Sequence, residues 1–224
     1  MNLALPTDPA APIRNARRSC GAALLSVPLV LCACAAQAGS VNVEVTDAAG
    51  KPLPRAVVTL EPVAGKLAVK PNSLLEVSQA KRQFDPQVSV VTVGTSVLFS
   101  NFDTVRHHVY SFSPTKTFEL KLYAGVPNMP VVFEKPGVAV IGCNIHDHMA
   151  AWIAVVDTPF YGQTGADGKT RIPAVAAGNY RLRAWHPGLG GNTDGVVQVL
   201  DVGSNDVDRS VQLKIGGNPL VSPL

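Results

Sequence analysis

Apolar residues along this chain recur at every second position far more often than at every third or fourth. Val41, Val43 and Val45 alternate with polar neighbours, and Ala56, Val58 and Leu60 repeat the pattern after a turn-like stretch at 47–52. A period of two sends successive side chains to opposite faces, so each run predicts a strand with one buried side. Val88, Val90 and Thr92 alternate up to Gly94, residues 96–100 make another strand, and 107–112 follow a turn at 101–104. Strands are also expected at 131–133, 138–141 and 152–156. Beyond a turn at 164–169, they are expected at 170–172, 180–185 and 196–202. The segment 63–83 is poorly periodic, with a short strand or a loop at 74–80, and 216–224 reads as a flexible tail. No long stretch after Gly39 has helical periodicity. Abundant valine, few aromatics and frequent Gly and Pro agree on an all-β chain.

The first 38 residues read as an export signal. Arg14, Arg17 and Arg18 form a positive region, 22–36 is an apolar run too short to span a bilayer, and Ala36-Gln37-Ala38 is a small-residue cleavage site. The expected location is the periplasm, with the mature chain starting at Gly39. A lipid anchor on Cys34 is the alternative, since Leu31-Cys32-Ala33-Cys34 loosely resembles a lipobox. Cleavage changes the charge balance. The whole chain carries +3; three arginines and Asp8 leave, giving about +1. Nothing then calls for nucleic acid, and no membrane span remains. Cys20, Cys32 and Cys34 fall in the leader, so Cys143 is left without a disulfide partner in an oxidising compartment.

That solitary thiol sits in Cys143-Asn144-Ile145-His146-Asp147-His148-Met149. One thiolate, one imidazole and one thioether, with a second histidine from elsewhere, make the ligand set of a blue (type 1) copper site. The candidate ligands are His107, Cys143, His146 and Met149. His107 and His108 compete for one place, because alternation puts them on opposite faces of a strand. Met149 is an axial ligand or core filler. His148 is expected to face solvent near the site, and His186 to be a structural or surface histidine at a turn. Asp103 and Asp147 read as loop caps. No Ser-His-Asp set, phosphate-binding loop or paired-carboxylate cleft stands out, so the expected protein is not an enzyme.

Two resemblances sharpen these expectations. Residues 84–158 resemble a cupredoxin of the plastocyanin/amicyanin group. The motifs are Phe84-x-Pro86, Gly94-x2-Val97-x-Phe99-x-Asn101, five residues to His107, Lys135-Pro136-Gly137, and Cys143-x2-His146-x2-Met149. The run 107–112 together with Cys-Asn-Ile-His-Asp is similar to exported cupredoxin-like proteins of the methylamine utilization type. The likeness implies a Greek-key β-sandwich over 74–158 that carries single electrons on copper. His107 would be the first ligand, and an apolar patch (Ala150, Ala151, Pro130) would lie over His146. The partner would be a periplasmic dehydrogenase or a c-type cytochrome. His108 stands where Asn is common in the family, and Asn144 where Ser or Thr is. Residues 39–62 and 159–215 together resemble a transthyretin-related, carboxypeptidase-regulatory-like β-sandwich, through Asp47-x2-Gly50-Lys51-Pro52-Leu53, Thr164-x2-Asp167-Gly168 and Gly178-x-Tyr180-x-Leu182. The cupredoxin segment is then inserted in that split sandwich, or the two stand in tandem. Copper carriage or sensing without electron transfer, and a metal-free recognition module, are the alternative functions.

Overall fold

The computed structural model describes Met1 and residues 38–191 and 193–215. The leader, with Cys20, Cys32 and Cys34, and the 216–224 tail lie outside the described residues apart from Met1 and Ala38. The chain first lays down β1 (Ala38–Thr46) and β2 (Val57–Pro62). Then come β3 (Leu75–Ala80), β4 (Gln83–Asp85), β5 (Val88–Thr92), β6 (Thr95–Asn101), β7 (His107–Ser113) and β8 (Lys116–Tyr123). After these follow β9 (Val131–Phe133), β10 (Gly137–Cys143) and β11 (Ala150–Val156). The closing strands are β12 (Tyr161–Gln163), β13 (Lys169–Ala176), β14 (Gly178–Trp185), β15 (Val196–Val202) and β16 (Val207–Gln212). The helical content among the described residues is one short 3-10 turn, Pro187–Leu189.

The strands form four sheets stacked in two pairs. One pair holds β13-β1-β16 against β12-β2-β14-β15; the other holds β5-β11-β10-β7-β8 against β4-β3-β6-β9. The alternating residues explain the stacking. Val41, Val43 and Val45 from β1 meet Val58 and Leu60 from β2 and Leu182 and Ala184 from β14 in the first core. Val97 and Phe99 from β6 and Phe133 from β9 meet Ile141 from β10 and Ile153 from β11 in the second. Each is a sandwich closed by removing one apolar face of each sheet from water.

Val57 departs from the simple alternation. It is 3% exposed although its neighbours Val58 and Ala56 fill the first core. It belongs to a third cluster with Val88, Val138, Ala154 and Trp185, where the outer faces of the two sandwiches pack together. Both sides of β2 and of β11 are therefore buried, so periodicity of two understates their apolar content. The alternation pattern does not predict strands β8, β12 and β16, which the fold contains. β16 pairs in parallel with β1, from Val41 opposite Val207 to Thr46 opposite Gln212. The 74–80 segment is strand β3, paired in parallel with β6.

A candidate metal centre

Three donor-bearing side chains converge at one end of the second sandwich. Cys143 ends β10 and is 3% exposed; His107 opens β7 and is fully buried. Cys143 pairs with Val109 across the β10–β7 ladder, which brings these strand ends side by side. His146 arrives from the β10–β11 loop. Cys143 Sγ lies 3.6 Å from His107 Nδ1 and 3.7 Å from His146 Nδ1. All three donor atoms lie within 4.8 Å of one another, and the two imidazole rings stand 5.0 Å apart at 56°. Met149 is 2% exposed, shares the core cluster with Cys143, and lines the same small groove. Its N–H donates to the His146 carbonyl at 2.9 Å, so the loop turns back tightly on itself.

The framework around the three donors is stiff. The Asn101 side-chain amide donates to the Val105 and Tyr123 carbonyls at 2.9 Å each, while its oxygen accepts from the Asp103 N–H at 2.9 Å. One side chain thus spans the whole loop that delivers His107. The Asn144 N–H donates to the His108 carbonyl at 3.0 Å and ties the two ligand-bearing segments together through main chain. Beneath them the Gln79 amide donates to the Tyr123 hydroxyl at 2.6 Å, and that hydroxyl donates to the Phe99 carbonyl at 2.6 Å. Burial pushes the Tyr123 phenol up to about 12, so it stays a neutral donor. Gly142 is small for a reason. A Cβ there would come 2.9 Å from the Tyr110 ring, which covers the strand just before Cys143.

His108 does not join the group. Its Nε2 lies 2.8 Å from Glu119 Oε1 on β8, on the other face of β7. His148 is exposed, its ring 6.1 Å from that of His146. Desolvation holds His146 below the ordinary imidazole value, and the neighbouring His107, Arg82 and His148 add to that. His186 is fully buried rather than at the surface, with Nδ1 accepting from the Gly188 N–H at 3.0 Å. Ala151 is 1% exposed and points into the core, so it cannot form the apolar patch expected beside His146. The exposed apolar residues in the flanking loops are Phe102, Val105 and Ile145.

Asp103 does more than the loop capping that its sequence predicts. It does cap a turn, accepting from the Lys81 N–H at 2.7 Å and the Arg82 N–H at 2.9 Å. It also meets His107 Nε2 at 2.8 Å. Burial alone would raise its carboxyl, but the hydrogen bonds from Arg82, His107 and Lys81 outweigh that and hold it below the usual carboxylate range. The Asp-x3-His spacing was a signal available in the sequence.

The donor chemistry fits a copper ion. Two imidazole nitrogens and a cysteine sulfur face a common point, with a thioether in the same core cluster and no carboxylate among the three grouped donors.

Comparison with known proteins gives limited likeness. A family model described as polysaccharide lyase family 4, domain II, matches residues 153–205, which lie mainly over β12–β15. No curated protein matches. Among solved structures, a copper-containing nitrite reductase from Thermus scotoductus is 28% identical over 44% of this chain, with a TM-score of 0.36. The match spans only 26% of that enzyme's own length. A purple cupredoxin from Nitrosopumilus maritimus is 21% identical over 38% of this chain and all of its own, with a TM-score of 0.32. An amicyanin variant in its Cu(I) form is 17% identical over 44% of this chain and 98% of its own, with a TM-score of 0.33.

Proposed function

We propose that this chain is an exported type 1 copper protein that carries single electrons between redox partners. The observation that supports this most is the meeting of Cys143 Sγ with two histidine Nδ1 atoms at 3.6 and 3.7 Å in a rigid β framework. His107, Cys143 and His146 would hold the copper, with Met149 as a further, weaker ligand. When bound, copper supplies a reversible one-electron couple.

The residues of the chain do the rest. The Asn101 and Asn144 bonds fix the ligand loops before any metal arrives, which keeps structural change on electron transfer small. Phe99, Val109 and Ile141 around Cys143 exclude water. His146, half-buried on its loop, provides the edge nearest solvent through which an electron would pass. A site with four protein ligands leaves no open position for substrate, which favours a carrier over an enzyme. The partner would be a periplasmic dehydrogenase or a c-type cytochrome, meeting this face in a small, transient contact. The resemblance to methylamine utilization proteins concerns a family label and assigns no substrate.

The test is to purify the exported form, supply Cu(II), and record visible and electron paramagnetic resonance spectra. An intense thiolate-to-copper band and a small parallel hyperfine splitting are expected, both lost in Cys143→Ser. A colourless protein with stoichiometric copper would leave carriage or sensing as the function. Normal folding with no copper taken up would leave a recognition module.

A further inference from the structure

We infer that Asp103 is the positioning residue of the metal centre: its carboxylate holds His107 with the Nδ1 lone pair turned toward Cys143 and biases the site toward Cu(II). The inference rests on the copper reading above.

A neutral imidazole carries one N–H and one lone pair, and which nitrogen has which is set by its hydrogen-bond partner. An ionised carboxylate only accepts. With Asp103 Oδ2 at 2.8 Å, the proton sits on Nε2, and Nδ1, 3.6 Å from the Cys143 sulfur, is left as a donor to metal. The opposite tautomer would aim an N–H at the Cys143 sulfur and close the site.

A turn-capping role alone does not account for this residue. Capping needs only the contacts to the Lys81 and Arg82 N–H groups. Both residues have positive φ, 52° and 58°, as a two-residue hairpin loop between β3 and β4 demands. An uncharged acceptor would serve that turn. The additional contact reaches a fully buried imidazole, and the Asp103 side chain is itself only 14% exposed. Because the same two oxygens hold the β3–β4 turn, the carboxylate cannot swing away from His107 without breaking two main-chain hydrogen bonds. The turn serves as the anchor of the metal ligand. A negative charge behind the imidazole makes it a stronger donor, and the more highly charged oxidation state gains more from this.

The experiment uses three forms of the full mature chain: wild type, Asp103→Asn and Asp103→Ser. In the apoprotein, long-range 15N correlation spectra report the His107 tautomer. The wild type is expected to carry its proton on Nε2. Asp103→Asn offers one accepting oxygen to three donors, the Lys81 and Arg82 N–H groups and His107 Nε2–H, so its amide NH2 displaces one of these contacts, the hold on His107 loosens and the charge is lost. Its Cu(II) affinity is expected to fall about ten- to hundredfold. Each tenfold loss confined to Cu(II) raises the reduction potential by about 59 mV. Asp103→Ser removes the charge and puts a shorter group that can donate as well as accept in its place, so its potential should rise and its His107 tautomer should no longer be fixed. A wild-type proton on Nδ1, or an Asn variant with unchanged tautomer, affinity and potential, overturns the assignment. Wild-type protein that takes no copper overturns the copper reading and the bias toward Cu(II). The apoprotein tautomer still tests the positioning independently.

Discussion

The two sandwiches share an architecture and differ in what they bury. The first fills its core with Val41, Val43, Leu60, Leu182, Leu200 and like residues, and the buried hydroxyls of Tyr180, Thr158 and Thr164 donate to the Ala176, Leu60 and Leu53 carbonyls at 2.9, 2.6 and 2.6 Å. The second buries a thiol, a thioether, an imidazole, Gln79 and Asn101 among its apolar side chains. Each buried polar group must be given a partner or it costs about 1–3 kcal/mol. The first core relies mainly on hydrophobic contact. The second carries a network whose upkeep makes sense if the assembled donors are used. The contrast extends to two histidines that are both fully buried: His107 has a carboxylate behind it, whereas His186 is met by main chain, its Nδ1 accepting from the Gly188 N–H.

The difference can be broken experimentally at several strengths. The largest effect should come from copper itself. At a thousandfold its dissociation constant, copper would stabilise the folded chain by about 4 kcal/mol. Hydrogen exchange of β6, β7, β10 and β11 amides should therefore slow far more on loading than that of β1 or β14. Equal slowing everywhere would erase the contrast. Next, Leu182→Ala in the first core should cost about 3 kcal/mol in urea unfolding. The copper band of the folded protein should keep its position.

A comparable pH effect belongs to His186. Desolvation, then the Arg55 charge, depress its pKa to about 4, with the Pro54 carbonyl working the other way. The unfolded chain binds this proton near pH 6.5 and the folded chain does not. The contribution is fully present above that pH, is lost as pH falls, and levels off below about 4. The total is roughly 3 kcal/mol for a shift of this size. Denaturation followed across this window should show the loss, and His186→Gln should flatten it. The smallest effect is expected from His148→Ala, since that ring is exposed and 6.1 Å from His146. The band and the hyperfine splitting should stay put; a changed spectrum would bring His148 into the site.

Alternation made most of this fold legible, because a half-buried strand writes its burial directly into the sequence. It failed where burial does not alternate or hardly occurs. β16 buries Val211 while most of its residues face solvent, and its place is set by main-chain pairing with β1, which leaves no pattern in side chains. In β8, Phe118 and Leu120 do alternate with Glu119 and Lys121, yet at this sheet edge they are only half-buried and Thr117 and Leu122 are exposed. At the site, the residue types in the 143–149 loop announced their chemistry, whereas the choice between His107 and His108 depends on register. The structure turns His107 toward Cys143 and gives His108 to Glu119. Asp103 reads as a loop cap, and although Asp-x3-His hints at a second contact, its link to His107 is made only by the folded loop between β6 and β7.

The parallel pairing of β1 with β16 joins residues such as Ser40 and Asp206 that stand 166 positions apart. Contacts of such long range are slow to form. As the chain emerges from its amino end, β1 and β2 must wait, unpaired with their neighbours in the finished sheets, while β3–β11 are already complete. The second sandwich can mature first, and the two early strands, rich in exposed valines until then, are the part of the newborn chain most in need of a chaperone.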